Sequence, residues 1–141
     1  MNDSTMMPDA DGPETLRQDA IEPARLRDLV VGTLDDAKAE DIQVFDLSER
    51  NTFADFMIVA SGTSTRHNRA LAERLGEALK VNRLPRPLGV EGEDPGEWVL
   101  VDLTDVVVHL MLPQTRAFYN LEKLWQQSTL TRASRTAEEP G

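Results

Sequence analysis

The amino-acid sequence predicts one α/β domain in which a compact mixed β-sheet is covered by helices. Segments with apolar residues at helical spacing alternate with short β-type runs in the order α-β-β-α-β-β-α. The last two β-type runs are separated by only two residues, Thr104 and Asp105. That is too few for a crossover helix, so these runs must form an antiparallel hairpin. The 141 residues are enough for a single domain with its own core.

The first two helices are predicted from their caps and their apolar stripes. The first helix begins at Pro23, a residue favoured in the first turn, and ends near Glu40. The second helix follows the loop Ser61-Gly62-Thr63-Ser64, whose hydroxyls can cap it, and Asn82 and Pro85 end it. The apolar stripe of the first helix is Leu26, Leu29, Val30, Leu34 and Ala37. The apolar stripe of the second helix is Ala70, Leu71, Leu75, Ala78 and Leu79.

The strands are predicted at four apolar runs. The first is Ile42 to Leu47, and the second, Asp55 to Ala60, is so continuously apolar that we expect it to be buried on both faces. The hairpin is formed by Trp98 to Leu103 and Val106 to Leu112. A short extended piece is predicted near Leu88 to Glu91, within a loop rich in proline and glycine.

The last helix is predicted from about Gln114 to Gln127. Phe118, Leu121 and Trp125 follow one another at spacings of three and four, so they are expected to face the core. Tyr119 lies about 100° around the helix from Phe118 and is expected to face outward or toward a partner.

Outside residues 23–127 the composition changes. Residues 1–22 carry scattered prolines and acids with few large apolar residues, which predicts a disordered acidic arm, and residues 128–141 predict a disordered tail. No apolar run approaches the roughly 20 residues of a membrane span. The beginning of the chain also lacks the basic and apolar regions of a signal peptide, so we expect a cytoplasmic protein.

The charge distribution favours a basic partner over nucleic acid or lipid. The net charge is −10, which disfavours direct, specific nucleic-acid binding and membrane binding, although an acidic surface also serves solubility alone. Residues 87–115 contain no Lys or Arg but six acids: Glu91, Glu93, Asp94, Glu97, Asp102 and Asp105. They form either a solvated loop and turn or a surface for a basic partner. Asp102 interrupts an apolar strand and therefore needs a partner.

The sequence offers little for catalysis or metal binding. There is no cysteine, and His67 and His109 lack the spacing of a zinc site. The loop at residues 61–64 could hold an anion, but a nucleotidyltransferase would also need an Asp-x-Asp pair soon after it. Residues 65–78 contain no Asp, only Glu73 and Glu77. We therefore interpret the loop as a helix cap and predict no catalytic residue, metal or cofactor.

Several segments, in their order along the chain, resemble the Iojap-like family, the ribosomal silencing factors. The resemblance covers about Leu26 to Trp125. Its segments are Val44-Phe45-Asp46-Leu47, Ala54 to Ser64, Arg69 to Ala72, Glu91-Gly92, Trp98, Asp102, Val106 to His109 and Arg116 to Trp125. It implies a fold similar to nucleotidyltransferases but without their catalytic carboxylates, and no enzymatic activity.

The resemblance also implies a function. Members bind ribosomal protein uL14 on the large subunit, sterically block association with the small subunit and lower translation when nutrients run short; free members form homodimers. Together with the acid-rich hairpin, this suggests a docking set: Trp98, Asp102, His109, Arg116, Tyr119 and Glu122. The resemblance places an aromatic residue and a glycine where this chain has Leu103 and Thr104.

Two rival hypotheses remain open at this point. One is a small nucleotidyltransferase-like enzyme acting through Gly62, Ser64 and an acid such as Asp102, against which the missing Asp-x-Asp pair argues. The other is a dimeric adaptor without a ribosomal role. Sedimentation with large ribosomal subunits would separate the adaptor from a silencing factor.

Overall fold

The computed structural model describes residues 21–49, 54–121 and Lys123. Residues 1–20 of the predicted arm and the whole predicted tail lie outside this part of the chain, as do Glu122 and Trp125. The predictions that concern them therefore stay predictions. None of the helices in the described part is long and apolar enough to cross a membrane.

The described residues form a mixed α/β fold with a five-stranded sheet. The elements are α1 (Pro23–Asp36), β1 (Glu40–Asp46), β2 (Phe56–Ser61), α2 (Thr65–Val81), β3 (Gly89–Glu91), β4 (Trp98–Asp102), β5 (Val106–Met111) and α3 (Pro113–Tyr119). The strand order is β1-β2-β5-β4-β3. Strands β2 and β5 are parallel, whereas the other neighbours are antiparallel. The observed order has one strand more than predicted, because the short extended piece near residue 90 pairs with β4.

The hairpin and the central strand agree with the sequence prediction. Strands β4 and β5 pair antiparallel, with Trp98 opposite Met111 and Leu100 opposite His109. Strand β2 lies between β1 and β5, and all six of its residues are buried, as its continuous apolar run predicts.

Helices α1 and α2 pack on the same face of the sheet and form the main core. The core residues of the helices are Leu26, Val30, Leu34, Leu71, Ala72, Leu75 and Leu79, and those of the three central strands include Ile58, Val99, Val101, Val106, Val108 and Leu110. The predicted core position of Ala70 is wrong. Ala70 is exposed, because the neighbouring Leu71 and Ala72 take the inward positions of α2.

The face of the sheet opposite α1 and α2, called the second face below, carries a smaller apolar cluster. Its buried members are Phe45, Leu47, Met57, Val59 and Met111, with Trp98 and Leu121 packed against them. Because side chains alternate along a strand, His109 also lies on this face, between Val108 and Leu110 of the main core. The two long helices therefore cover one face of the sheet, not both.

Helix α3 covers only the first part of the predicted helix, but Leu121 and Lys123 are again helical, and the rest of the predicted range lies outside the described residues. Helix α3 ends at Tyr119 because Asn120 adopts left-handed backbone angles of φ 55° and ψ 47°, and the Asn120 N–H closes the last turn on the Arg116 carbonyl. Arg116 faces inward and is 5% exposed. Phe118 lies about 200° around the helix from Arg116 and is 79% exposed, so its predicted core position is wrong. Tyr119 is 54% exposed, which confirms its outward position.

Candidate functional site

Three of the six predicted docking residues meet on the second face. In the β4–β5 register Trp98 and His109 are diagonal neighbours, close enough for long side chains to touch. The indole Nε1–H of Trp98 donates a hydrogen bond of 3.0 Å to Nδ1 of His109. The Tyr119 ring, carried by α3, lies 4.8 Å from the Trp98 ring with an interplanar angle of 51°.

Phe118 extends this group toward solvent. Its ring stands edge-on to Tyr119, with 4.9 Å between the ring centroids and an angle of 87°. We call Trp98, His109, Phe118 and Tyr119 the aromatic cluster. Adjacent exposed aromatic side chains are typical of protein-binding surfaces.

His109 is a neutral member of the cluster. Burial lowers the pKa of His109 from 6.5 to about 4, because the imidazolium would lose its hydration. Its Nδ1 accepts from Trp98, so in the neutral ring the proton resides on Nε2. The residue can thus orient the indole at any pH well above 4.

Arg116 anchors α3 to the sheet and does not belong to the surface. Its Nη1 donates to the Ser61 hydroxyl at 2.9 Å, and its Nη2 donates to the Asp41 carbonyl at 2.7 Å and lies 3.6 Å from the Asp41 carboxylate. Arg116 is therefore paired with an acid, Asp41. The predicted docking role is wrong for the guanidinium, since a 5% exposed side chain offers little to a partner.

Asp102 serves the hairpin turn. Its Oδ1 accepts from the Thr104 N–H at 2.8 Å, so the turn itself supplies the partner that an acid in this strand requires. Thr104 has φ 75°, a conformation that glycine adopts more readily, at the position where the family resemblance places a glycine. Asp102 is the last residue of β4 and Trp98 the first, about 13 Å apart along the strand. Asp102 therefore lies away from the aromatic cluster.

The acidic segment 91–97, called the acidic loop below, is fixed by α2. Asn68 is fully buried; its Nδ2 donates to the Gly96 carbonyl at 2.8 Å and its Oδ1 accepts from the Gly62 N–H at 2.9 Å. Arg69 Nη1 donates to the carbonyls of Glu93 and Asp94 at 3.3 and 3.2 Å. The acidic side chains of the loop remain exposed.

Sequence reasoning missed Asn68, although a signal was present. Asn68 lies three and seven residues before Leu71 and Leu75, on the apolar stripe of α2. A polar side chain at a core position requires a buried hydrogen-bond partner, and here the partners are the backbones of the two loops that it joins.

The loop at residues 61–64 acts as a helix cap. Ser64 Oγ accepts from the His67 N–H at 3.0 Å, and the Thr63 N–H donates to His67 Nδ1 at 2.9 Å. The loop amides of Gly62 and Thr63 are thus bonded to the side chains of Asn68 and His67 of α2. Glu73 and Glu77 are exposed on α2. Across the described ranges, no group of three or more His, Asp or Glu residues is placed to hold a metal ion.

The family comparison agrees with the resemblance of the sequence. The family described as "Ribosomal silencing factor during starvation" matches residues 19–140. The chain belongs to this family. A protein from Chromobacterium violaceum named ribosomal silencing factor is 42% identical over 105 residues, which cover 74% of this chain and 85% of that protein. One from Zymomonas mobilis is 37% identical over 108 residues, covering 77% and 80%.

A further relative and a solved structure are also similar to this chain. The mouse protein named "Mitochondrial assembly of ribosomal large subunit protein 1" is 39% identical over 101 residues, covering 70% of this chain and 44% of the mouse protein. A crystal structure of a Chromobacterium violaceum protein superposes with a TM-score of 0.71 at 37% identity, covering 86% of this chain and 92% of that one. The mixed α/β fold is therefore shared with solved relatives.

Proposed function

We propose that this silencing factor binds ribosomal protein uL14 on the large ribosomal subunit and sterically blocks association with the small subunit. The action is repression of translation in the cytoplasm when nutrients are limited, and no reaction is catalysed. The family membership and the names of its relatives support a ribosomal partner. The observation that carries the docking part is the aromatic cluster on the second face.

The aromatic cluster has the properties of an interface centre. Tyr and Trp are enriched among residues that dominate binding energy, because each buries a large area and can still form a hydrogen bond. Tyr119 and Phe118 are 54% and 79% exposed, so their rings are available to a partner. Trp98 and His109 lie on paired strands, which keeps the base of the cluster rigid.

The acidic loop adds charge beside the cluster. It ends at Glu97, the residue directly before Trp98, and Gly92 lies against the Trp98 carbonyl, so this negative rim adjoins the strand that carries the indole. A basic ribosomal protein would be attracted to this rim and anchored by the rings.

The same proposal includes two finer points. The likeness to nucleotidyltransferases is one of architecture alone, since the amides of Gly62 and Thr63 are bonded to side chains of α2. The free protein is a homodimer, as the resemblance to the family implies.

A dimeric adaptor with no ribosomal role is the hypothesis that would replace this proposal if the protein does not bind large subunits.

A gradient experiment tests the proposal. Adding the protein to dissociated ribosomal subunits should lower the monosome peak and place the protein with the large subunit. Phe118→Ala together with Tyr119→Ala should weaken both effects while leaving the melting temperature nearly unchanged. Val81→Ala is the matched control, because Val81 is 80% exposed on α2, away from the cluster. An undiminished monosome peak at saturating protein would overturn the proposal.

A further inference from the structure

We propose that His109 is a positioning residue, which holds the Trp98 indole in its docking orientation before a partner arrives. This inference rests on the proposed docking function and names how that surface is prepared. It assigns to His109 an action through Trp98 rather than a contact of its own with the partner.

The position of His109 suits this role. Strand β5 lies in the middle of the sheet, and His109 is in register with Val59 on one side and Leu100 on the other. Trp98 is the first residue of β4 and follows the acidic loop directly. The hydrogen bond therefore ties a side chain at the border of the sheet to a side chain near its centre.

The indole is constrained from two directions. Its Nε1–H is bonded to His109 Nδ1 at 3.0 Å, and its ring packs against Tyr119 at 4.8 Å. Trp98 also packs against the smaller apolar cluster, but apolar contacts do not fix the direction of the indole N–H as a hydrogen bond does. Trp98 donates through Nε1 alone, so His109 sets the orientation that this single donor can satisfy.

The hydrogen bond between Trp98 and His109 does not depend on pH under physiological conditions. The imidazole must be neutral for Nδ1 to accept, and its pKa of about 4 keeps it neutral at neutral pH. A side chain ordered in advance does not lose its rotational freedom at docking, so the bond raises affinity without touching the partner.

Two substitutions separate positioning from direct contact. His109→Asn places its Oδ1 near the position of Nδ1, so it keeps the acceptor for Trp98 but loses the Nε2–H. His109→Phe keeps a ring of similar volume and loses the acceptor. Positioning requires that His109→Asn binds large subunits nearly as well as the wild type, whereas His109→Phe binds about twofold to tenfold more weakly, the effect of one hydrogen bond. If Nε2–H contacts the partner, both variants lose affinity equally, which would overturn the proposal.

A spectroscopic readout follows the indole directly. The chain contains two tryptophans, so its indole N–H spectrum has two signals, and Trp98→Phe assigns one of them. The Trp98 signal should shift in His109→Phe and stay close to its place in His109→Asn. In the Trp98→Phe background, His109→Phe should cause no further loss of affinity, because the donor is already gone. Melting curves identify any variant that fails to fold.

The outcomes are distinguishable from those of the proposed function. Wild-type protein that does not bind large subunits overturns the proposed function and this inference with it. Wild-type protein that binds, with His109→Phe binding equally well or with an unchanged Trp98 signal, overturns only the positioning role.

Discussion

At the scale of single residues, the contacts divide five of the six predicted docking residues by role, whereas Glu122 lies outside the described residues. Trp98 and Tyr119 form a contiguous surface with His109 beneath the indole, whereas Arg116 holds α3 and Asp102 closes the hairpin turn. A residue type in a sequence pattern does not reveal whether its polar end faces a partner or a neighbouring loop. That distinction depends on contacts between residues far apart in the chain, such as Arg116 with Ser61.

The first residue-scale prediction concerns the pH dependence of stability. The pKa of His109 is lowered to about 4 in the folded protein and is near 6.5 in the unfolded chain, so between these values the unfolded state binds the extra proton. The free energy of unfolding should therefore fall as pH decreases from 6.5 to 4. His109 contributes at most about 1.4 kcal/mol per pH unit to this slope.

The matched control for this prediction is His109→Asn, which does not titrate and leaves every carboxylate in place. Chemical unfolding of both proteins at several pH values gives the contribution of His109 as the difference between their slopes. If the two proteins lose stability in parallel from pH 6.5 to 4, the pKa of His109 is not lowered in the folded protein.

At the scale of elements, Asn68 provides the buried hydrogen bond that holds the acidic loop against α2. Asn68→Ala would leave the N–H of Gly62 and the carbonyl of Gly96 without their partner, and both residues are buried. We expect a loss of about 2–4 kcal/mol in the free energy of unfolding, from two unsatisfied buried groups. Asn82→Ala is the control on the same helix, where an exposed side chain donates to the Ala78 carbonyl, and should cost less than about 1 kcal/mol. Equal losses in denaturant unfolding would contradict this role of Asn68.

The elements also show how far the sequence predicts this fold. Apolar periodicity was enough to predict α1, α2 and β2, and the two-residue turn was enough to predict the hairpin. The burial of these elements follows from the local sequence pattern alone. The break in the last helix at Asn120 was not predicted, because the left-handed conformation of Asn120 is not evident from a sequence that continues with apolar residues at helical spacing. The predicted rotation of α3 was wrong because a buried arginine, not an aromatic residue, faces the sheet.

At the scale of the whole molecule, one face of the sheet forms the main core and the other carries the surface proposed for docking. The face under α1 and α2 holds the main core, so stability depends chiefly on it. The second face joins a smaller apolar cluster to the aromatic cluster, and the strand that carries Trp98 follows the acidic loop directly. The surface proposed for docking can therefore change without disturbing the main core, which suits a protein that acts by occupying a site.

The last prediction follows from the charge of that surface. Association with large subunits should slow as salt rises, because ions screen exposed charges beyond about 8 to 10 Å at physiological ionic strength. Glu93→Gln with Asp94→Asn should lower the association rate at low salt and flatten its salt dependence, since Arg69 bonds the backbone carbonyls of these residues and not their carboxylates. Glu73→Gln with Glu77→Gln removes the same charge from exposed positions on α2 and serves as the control. Stopped-flow or surface-binding kinetics would measure the association rates of both double variants at several salt concentrations. Equal effects would mean that net charge alone steers the encounter, and a rate independent of salt in the unaltered protein would remove the acidic loop from the docking surface.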